Sequence, residues 1–307
     1  MAAPIDWFRL LVPNAVGNCV VDHVAVAKHR VRSGRRVGLL YDPARQFHID
    51  LILCNPYLDE VCAVDSFCGD PDRALDATGG LTWNYLIENT EVVRMRAPQE
   101  AGQELVPVLR EHGIEVTDPI IALHAREPGY QHYIRPDHES ERFVQVEIFI
   151  QLARHYLHRG FKVIRIGDPG STPFPPQPGL FDAAHWAGKR LVHDAWLIEH
   201  AALLVATDSG IWPLGVALGT ASVLSNSCHG QPALGTRRHW FPWEPGHRVL
   251  NKRLFVDGRE VTAREGVRLF GGERWHAVEG KVRLEDNTLE QLTEAVESLL
   301  PRQEEAA

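Results

Sequence analysis

The segment 202–226, LLVATDSGIWPLGVALGTASVLSNS, most constrains what this chain folds into. Its first apolar run ends in the turn 207–210, a helix is predicted at 212–218, and a second apolar run follows at 221–224. A helix that begins directly after a strand presents its first backbone N–H groups above the sheet edge, where they bind phosphate readily. The alternative is that the Asp and Ser of the turn only cap the helix.

Short apolar runs alternate with longer helical patterns along the whole chain, which is typical of βα units and a largely parallel sheet. Strands are predicted at 8–12, 36–41, 61–64, 120–124 and 161–166, helices at 19–32, 99–112, 141–159, 194–200 and 287–300, a turn at 13–18 and a Pro-rich loop at 167–179. The last helix has Asn287 as its predicted N-cap and Glu290 as the capping partner. The fold class is therefore α/β. Two Rossmann-like halves across a cleft, with a hinge at 113–119, are favoured over one doubly wound domain with a long insertion.

The composition excludes several classes of protein. A net charge of -8 over 307 residues argues against a nucleic-acid-binding protein, whose footprint is usually a basic patch. The five cysteines form no CxxC pair, so neither a disulfide framework nor a zinc site is indicated. No apolar run reaches the ~20 residues of a membrane span. The apolar patch near residue 8 is not preceded by the positively charged segment typical of a secretory signal peptide. We expect a cytoplasmic protein, with a homo-oligomer left open.

The turn at 13–18, PNAVGN, joins the first strand to the first helix but lacks both GxGxxG and GxxxxGK[ST]. The chain also has no HxxxH or HExxH pair, so we expect neither a metal nor a bound cofactor. Gly17 and Asn18 in this turn are candidate substrate-binding residues. Asp22 and His23, about one helical turn later, are candidate general bases toward an acceptor. The alternative for these two is a solvated Asp-His pair.

His124 and Arg126 lie at the carboxyl end of the strand 120–124, where ligands bind in open α/β sheets. Their two-residue spacing places both side chains on one face. Arg126 is predicted to hold two phosphate oxygens and to stabilise the charge on a departing diphosphate. The alternative is a structural ion pair with Glu127 or Asp208. His124 is predicted to be a packed or hydrogen-bonded residue of the substrate site rather than a catalyst.

A second strand end carries Arg165, Gly167 and Asp168 as candidate substrate-binding residues. Arg165 alternates with two isoleucines and is therefore predicted to point into the cleft, toward a nucleobase or ribose. Gly167 lets the backbone approach a ligand closely. The alternative for Arg165 is a position on the sheet face, covered by a helix. Trp212 is a candidate for stacking on a base or sugar, with packing in the core as its alternative.

Several motifs occur in an order that resembles bacterial glycosyltransferases related to the heptosyltransferases. They are LHAREPGY (123–130), GFKVIRIGD (160–168), VATDSGIWPLGVALG (205–219), NKRLFVDGREVTAREG (251–266) and DNTLEQLTEAV (286–296). The resemblance covers most of residues 115–300, while the amino-terminal half matches only through its VPNAVGN turn and the following helix. The His-x-Arg pair is similar to the motif by which fucosyltransferases of the same fold hold the diphosphate of a GDP-sugar.

The resemblance implies a GT-B fold, in which two Rossmann-like domains with parallel sheets face a central cleft. It implies an acceptor-binding domain at 1–115, a nucleotide-sugar-binding domain at 116–285, and a C-terminal helix and tail at 286–307. Asp208, Ser209 and Gly210 match the family's donor-binding Asp-Ser/Thr-Gly turn.

The implied activity is a metal-independent, inverting transfer of a sugar from a nucleoside-diphosphate sugar. A GDP-sugar is the favoured donor, with an ADP-sugar as the alternative, and the acceptor is a glycan or a specialised metabolite. In the family a Gly-Asp pair supplies the proposed base, whereas here Gly17 is followed by Asn18, which cannot take a proton. An easily ionised acceptor such as a thiol suits that difference. Two other hypotheses stay open: a sugar-nucleotide epimerase of the same fold, and a non-catalytic nucleotide- or carbohydrate-binding protein.

Overall fold

The computed structural model describes residues 4–10, 15–69, 74–76, 92–127, 142–227, 246–270 and 282–300. Within these ranges strands and helices alternate as the sequence predicts, and the strands form two parallel sheets and one small antiparallel sheet. Among the described helices, none combines the length and the apolar composition that a membrane span requires.

The first parallel sheet has the strand order β3-β2-β1-β4. Its elements along the chain are β1 (Ile5–Arg9), α1 (Val16–Ser33), β2 (Arg36–Tyr41), α2 (Gln46–Leu53), β3 (Glu60–Ala63) and β4 (Leu75–Asp76). The strand predicted at 8–12 is thus placed three residues too late, and residues 11–14 lie outside the described ranges. The turn predicted at 13–18 is wrong from residue 16 onward, because α1 already begins at Val16.

The second parallel sheet has the strand order β10-β9-β8-β5-β6-β7. After α3 (Gln99–Glu111) the chain forms β5 (Ile120–His124), α4 (Val146–His158), β6 (Lys162–Arg165), β7 (Leu180–Asp182), α5 (Leu191–Glu199), β8 (Leu203–Thr207), α6 (Ile211–Leu218), β9 (Ser222–Ser227) and β10 (His247–Asn251). The strand predicted at 120–124 and the loop at 167–179 are confirmed. The helix predicted from 141 begins only at Val146, and the short strand β7 was not predicted.

The chain ends in a small antiparallel sheet followed by a helix. β11 (Arg253–Val256), β12 (Arg259–Val261) and β13 (Val282–Glu285) pair in the order β12-β11-β13, with α7 (Ala263–Phe270) before β13 and α8 (Leu289–Glu297) after it. The sequence analysis did not predict this sheet. Its signal was the Asp257-Gly258 dipeptide, whose φ angles of 49° and 79° suit a two-residue hairpin turn.

The predicted cap of the last helix is wrong by one residue. Thr288, not Asn287, is the N-cap of α8, and its hydroxyl accepts the Gln291 N–H while the Gln291 side chain accepts the Thr288 N–H. Asn287 and Asn226 instead exchange hydrogen bonds, each side-chain oxygen accepting the other's N–H at 2.7 Å. A tertiary contact therefore takes the asparagine that the local pattern assigned to the helix.

The largest apolar cluster takes side chains from both parallel sheets. Phe8 and Leu39 of the first sheet and Ala122 and Leu204 of the second belong to it, together with residues of α1 and α6. α1 packs against α6, and every side chain of α1 from Cys19 to Lys28 is buried. The two sheets therefore share one buried core, and α1 is covered on all sides rather than on one face.

Candidate functional site

The site begins where the N-terminal turns of α1 and α6 meet. A Cβ on Gly210 would lie 2.6 Å from the Gly17 nitrogen, and a Cβ on Gly17 would lie 3.0 Å from the Gly210 Cα. Only glycines allow the two backbones to come this close. Neither N-cap residue, Ala15 or Gly210, supplies a side-chain cap, and neither first turn contains an acidic residue. The positive ends of two helix dipoles therefore lie side by side.

Arg126 lies beside the start of α6, as the sequence predicts. Its backbone N–H donates to the Thr207 hydroxyl at 3.0 Å, and its side-chain Nη1 donates to the Asp208 carbonyl at 3.4 Å. These contacts follow from the sheet, because β5 pairs directly with β8 and aligns His124 with Ala206. The Arg126 guanidinium and the turn before α6 are distant in sequence and lie together in the structure. Of its two predicted alternative partners, Glu127 pairs with Arg165, and Asp208 is contacted through its main-chain carbonyl.

His124 is a hydrogen-bonded residue, as predicted. Its Nδ1 lies 3.2 Å from the Ser209 hydroxyl, which also accepts the Ile211 N–H at 3.3 Å. Burial, assisted by the positive charges of Arg165, Lys189 and Arg126, lowers the pKa of His124 to about 3. The imidazole is therefore neutral at physiological pH and orders the turn before α6.

Arg142 is a second cation at this turn, and the sequence analysis did not single it out. Its Nε and Nη2 donate to the Asp208 carbonyl at 3.0 and 2.6 Å, and Nη2 lies 3.5 Å from the Asp208 carboxylate. The Asp208 carbonyl thus accepts hydrogen bonds from the guanidinium groups of both Arg126 and Arg142. Arg142 stands outside any recognisable motif, so only the fold brings it here.

Arg165 does not point into an open cleft, which corrects the prediction for this residue. Its side chain is fully buried, and its Nη2 donates to Glu127 at 2.8 Å. Gly167 serves this arrangement, because a Cβ there would lie 2.7 Å from Arg165 Nη1 and its φ is +151°. Asp168 accepts the Gly170 N–H at 2.8 Å and so orders the loop after β6. Arg165 is thus covered, as its alternative has it, and its guanidinium lies 5.3 Å from the centre of the Phe174 ring in the loop 167–179.

Asp22 and His23 are not a solvated pair, because both are fully buried within α1. The His23 Nδ1 lies 3.1 Å from the Asn55 amide nitrogen, and burial, together with the neighbouring His48, lowers the pKa of His23 to about 3. Such an imidazole is a weak base with no open path to an acceptor. Asn18, by contrast, is exposed at the first turn of α1.

Trp212 is the other correction. Its side chain is 3% exposed and belongs to the shared apolar cluster, so it packs in the core rather than presenting a face for stacking. Among the described residues, no group of three His, Cys, Asp or Glu side chains is arranged to hold a metal ion.

Comparisons with solved structures show the fold. A glycosyl transferase family 9 protein from Veillonella parvula superposes with a TM-score of 0.61 at 14% identity, covering 97% of both chains. The ADP-heptose LPS heptosyltransferase II of E. coli gives 0.57 at 12% identity over 99% of both chains. The iron-containing dodecameric glycosyltransferase TibC from enterotoxigenic E. coli gives 0.51 at 11% identity, covering 97% of this chain and 76% of that one.

No family profile and no curated protein sequence matches the chain. At these identities the structural likeness concerns the fold, and the GT-B fold expected from the motif order is confirmed. The arrangement of two domains about a cleft, with boundaries at 115 and 285, stays a prediction.

Proposed function

We propose that this protein is a glycosyltransferase that uses a nucleoside-diphosphate sugar. The donor's diphosphate binds where the first turns of α1 and α6 meet Arg126 and Arg142. One observation carries the proposal: two helix N-termini and two guanidinium groups converge on the turn at Asp208. Such a turn attracts a diphosphate, because backbone N–H groups and planar guanidinium forks both match phosphate oxygens. The glycosyltransferase fold supports the same reading.

The chemistry follows from where negative charge appears. When the bond between the anomeric carbon and the diphosphate oxygen breaks, its electron pair passes to the leaving nucleotide. Arg126 and the N–H groups of α6 stabilise that charge without a metal ion. Removing one such preorganised donor costs about 3 kcal/mol in the transition state. Attack by the acceptor from the opposite side of the sugar gives inversion at the anomeric carbon.

The acceptor in this proposal is a group that ionises easily, such as a thiol, on a glycan or a specialised metabolite. Asn18 stands at the exposed first turn of α1 and cannot take a proton. The burial of Asp22 and His23 supports the same choice, because neither group meets an acceptor from inside the core. A thiolate needs no strong base at the moment of attack.

The donor nucleotide is GDP or ADP in this proposal. The His-x-Arg pair favours GDP, whereas ADP-heptose appears in the name of the E. coli heptosyltransferase of the same fold. Thermal-shift screening with GDP, ADP, UDP and dTDP tests the choice. We expect GDP or ADP to raise the melting temperature, since a ligand that binds only the folded state stabilises it. If none of the four nucleotides shifts it, the donor proposal fails.

An Arg126→Ala variant tests the role of the guanidinium. We expect its transfer rate to fall about 100-fold, the size seen when a single charge-stabilising donor is removed, with circular dichroism unchanged. Arg283→Ala is the matched control, because Arg283 lies on the antiparallel sheet and is exposed. Normal transfer by Arg126→Ala would remove this residue from the mechanism.

A non-catalytic nucleotide-binding protein is the second candidate, and the burial of Asp22 and His23 is the observation that favours it. Product analysis separates the possibilities. Sugar found on an added thiol or hydroxyl acceptor identifies a transferase, and an altered sugar still attached to the nucleotide identifies an epimerase. Nucleotide binding without either product identifies a binding protein.

A further inference from the structure

A largely buried ion pair outside the site holds the segment that carries Arg142. Lys252 lies between β10 and β11, and 7% of the residue is exposed. Its ammonium group donates to the Phe143 carbonyl at 2.7 Å and to the Asp286 carboxylate at 2.8 Å. The other Asp286 oxygen accepts the Gln145 N–H at 2.6 Å. One ion pair from the C-terminal part of the chain thus holds both ends of the segment 143–145.

The same segment is tied to the site from its other side. The Val144 N–H donates to the Arg126 carbonyl at 3.0 Å, and Arg142 reaches the Asp208 carbonyl with both Nε and Nη2. Arg142 therefore projects from a backbone that is held on two sides. Lys252 and Asp286 hold it on one side, and Arg126 holds it on the other. An arginine side chain has many rotamers, and fixing its backbone lowers the ordering cost of binding.

We propose that Lys252 and Asp286 are positioning residues for the donor: they hold Arg142 where its guanidinium binds the donor's diphosphate. The inference rests on the proposed function and adds a second phosphate-binding arginine and the ion pair that places it. The pair is suited to this role because its side chains are only 6% and 10% exposed, so that salt screens their charges little. Without Lys252 the Phe143 carbonyl and the Asp286 carboxylate lose their shared donor, and fewer contacts hold the segment 142–145 in place.

Isothermal titration with ADP and with GDP tests the proposal, using the nucleotide that the wild type binds more tightly. We expect Arg142→Ala to raise the Kd about tenfold, as for loss of one charge-assisted hydrogen-bonding group. Lys252→Met and Asp286→Asn should each raise the Kd by part of that factor. In the Arg142→Ala background, Lys252→Met should change the Kd no further, because the residue it positions is already gone.

Arg253→Met is the matched control. Arg253 follows Lys252 directly but pairs with Glu260 and Glu285 on the antiparallel sheet, so its loss reports general loosening of that sheet. Should Lys252→Met fold poorly, Asp286→Asn gives the same test with less change in shape. The inference is overturned if Lys252→Met and Asp286→Asn bind like the wild type, or if Lys252→Met weakens binding equally with and without Arg142. Failure of the wild type to bind ADP or GDP would instead reject the proposed function.

Discussion

At the residue scale, two buried histidines tie the stability of this fold to pH. His23 and His124 are each enclosed by protein, and burial lowers the pKa of both from 6.5 to about 3. Each uses its Nδ1 for a side-chain hydrogen bond: His124 with the Ser209 hydroxyl, and His23 as acceptor from the Asn55 amide. Sequence reasoning identified His124 as a hydrogen-bonded residue, because its position at a strand end was clear. It misplaced His23, because the residues near it, His48 and Asn55, are distant in sequence.

These histidines predict a loss of stability in acid. Above pH 6.5 both are neutral in the folded and in the unfolded chain, and they do not affect the free energy of unfolding. Between pH 6.5 and about 3 only the unfolded chain takes up the protons, so the free energy of unfolding falls as the pH is lowered. The slope is at most about 1.4 kcal/mol per pH unit for each histidine.

Urea unfolding at several pH values measures this slope. His23→Asn should make it shallower by up to the contribution of one histidine, whatever the variant's absolute stability. Val31→Ala is the control, because Val31 is exposed and the substitution changes no titratable group. An identical slope in the wild type and in His23→Asn would contradict the prediction.

At the element scale, the site depends on how closely two helices approach. The sequence predicted the strand, the turn and the helix at 202–226; the helix begins one residue earlier than predicted, and β9 extends three residues beyond the predicted apolar run. It did not predict that the start of α1 would lie against the start of α6, since contacts between distant helices leave no periodic pattern. In the sequence, the two glycines at this contact, Gly17 and Gly210, belong to two separate predicted turns.

Gly210→Ala tests this approach. The added Cβ would lie 2.6 Å from the Gly17 nitrogen, a backbone atom that cannot move aside cheaply. We expect a loss of about 1–3 kcal/mol in the free energy of unfolding, typical of overpacking, together with weaker nucleotide binding. Gly246→Ala is the control, because the nearest atom to its Cβ would be 3.9 Å away. A Gly210→Ala protein with the stability and nucleotide affinity of the wild type would show that the close contact is dispensable.

At the scale of the whole molecule, the two parallel sheets are joined by polar as well as apolar contacts. The carboxylate of Asp50, in α2, accepts the backbone N–H of Leu191 at 2.9 Å and a guanidinium N–H of Arg190 at 2.6 Å. A residue from the half of the chain that forms the first sheet therefore caps the start of α5. At the far end of α5, Glu199 accepts the Ala97 N–H at 2.8 Å. Together with the shared apolar cluster, these contacts predict that the two halves unfold together.

Differential scanning calorimetry measures this directly. We expect one transition whose calorimetric and van't Hoff enthalpies agree, which is the signature of cooperative unfolding. Asp50→Ala should lower its midpoint, because the Leu191 N–H at the start of α5 loses its acceptor and the Arg190 guanidinium loses its ion-pair partner. Two well-separated transitions in the wild type would contradict a shared core and favour independent domains.

The sequence by itself determined the alternation of strands and helices, the strand that ends at His124, and the meeting of Arg126 with the turn at Asp208. These follow from patterns within single elements and from the rule that parallel strands end at one edge of a sheet. Only the tertiary structure decided that α1 is buried on every side, that Arg142 joins the site, and that Asn287 pairs with Asn226 instead of capping α8. The physical reason is that burial and hydrogen bonding depend on neighbours distant in sequence, and local periodicity carries no information about them.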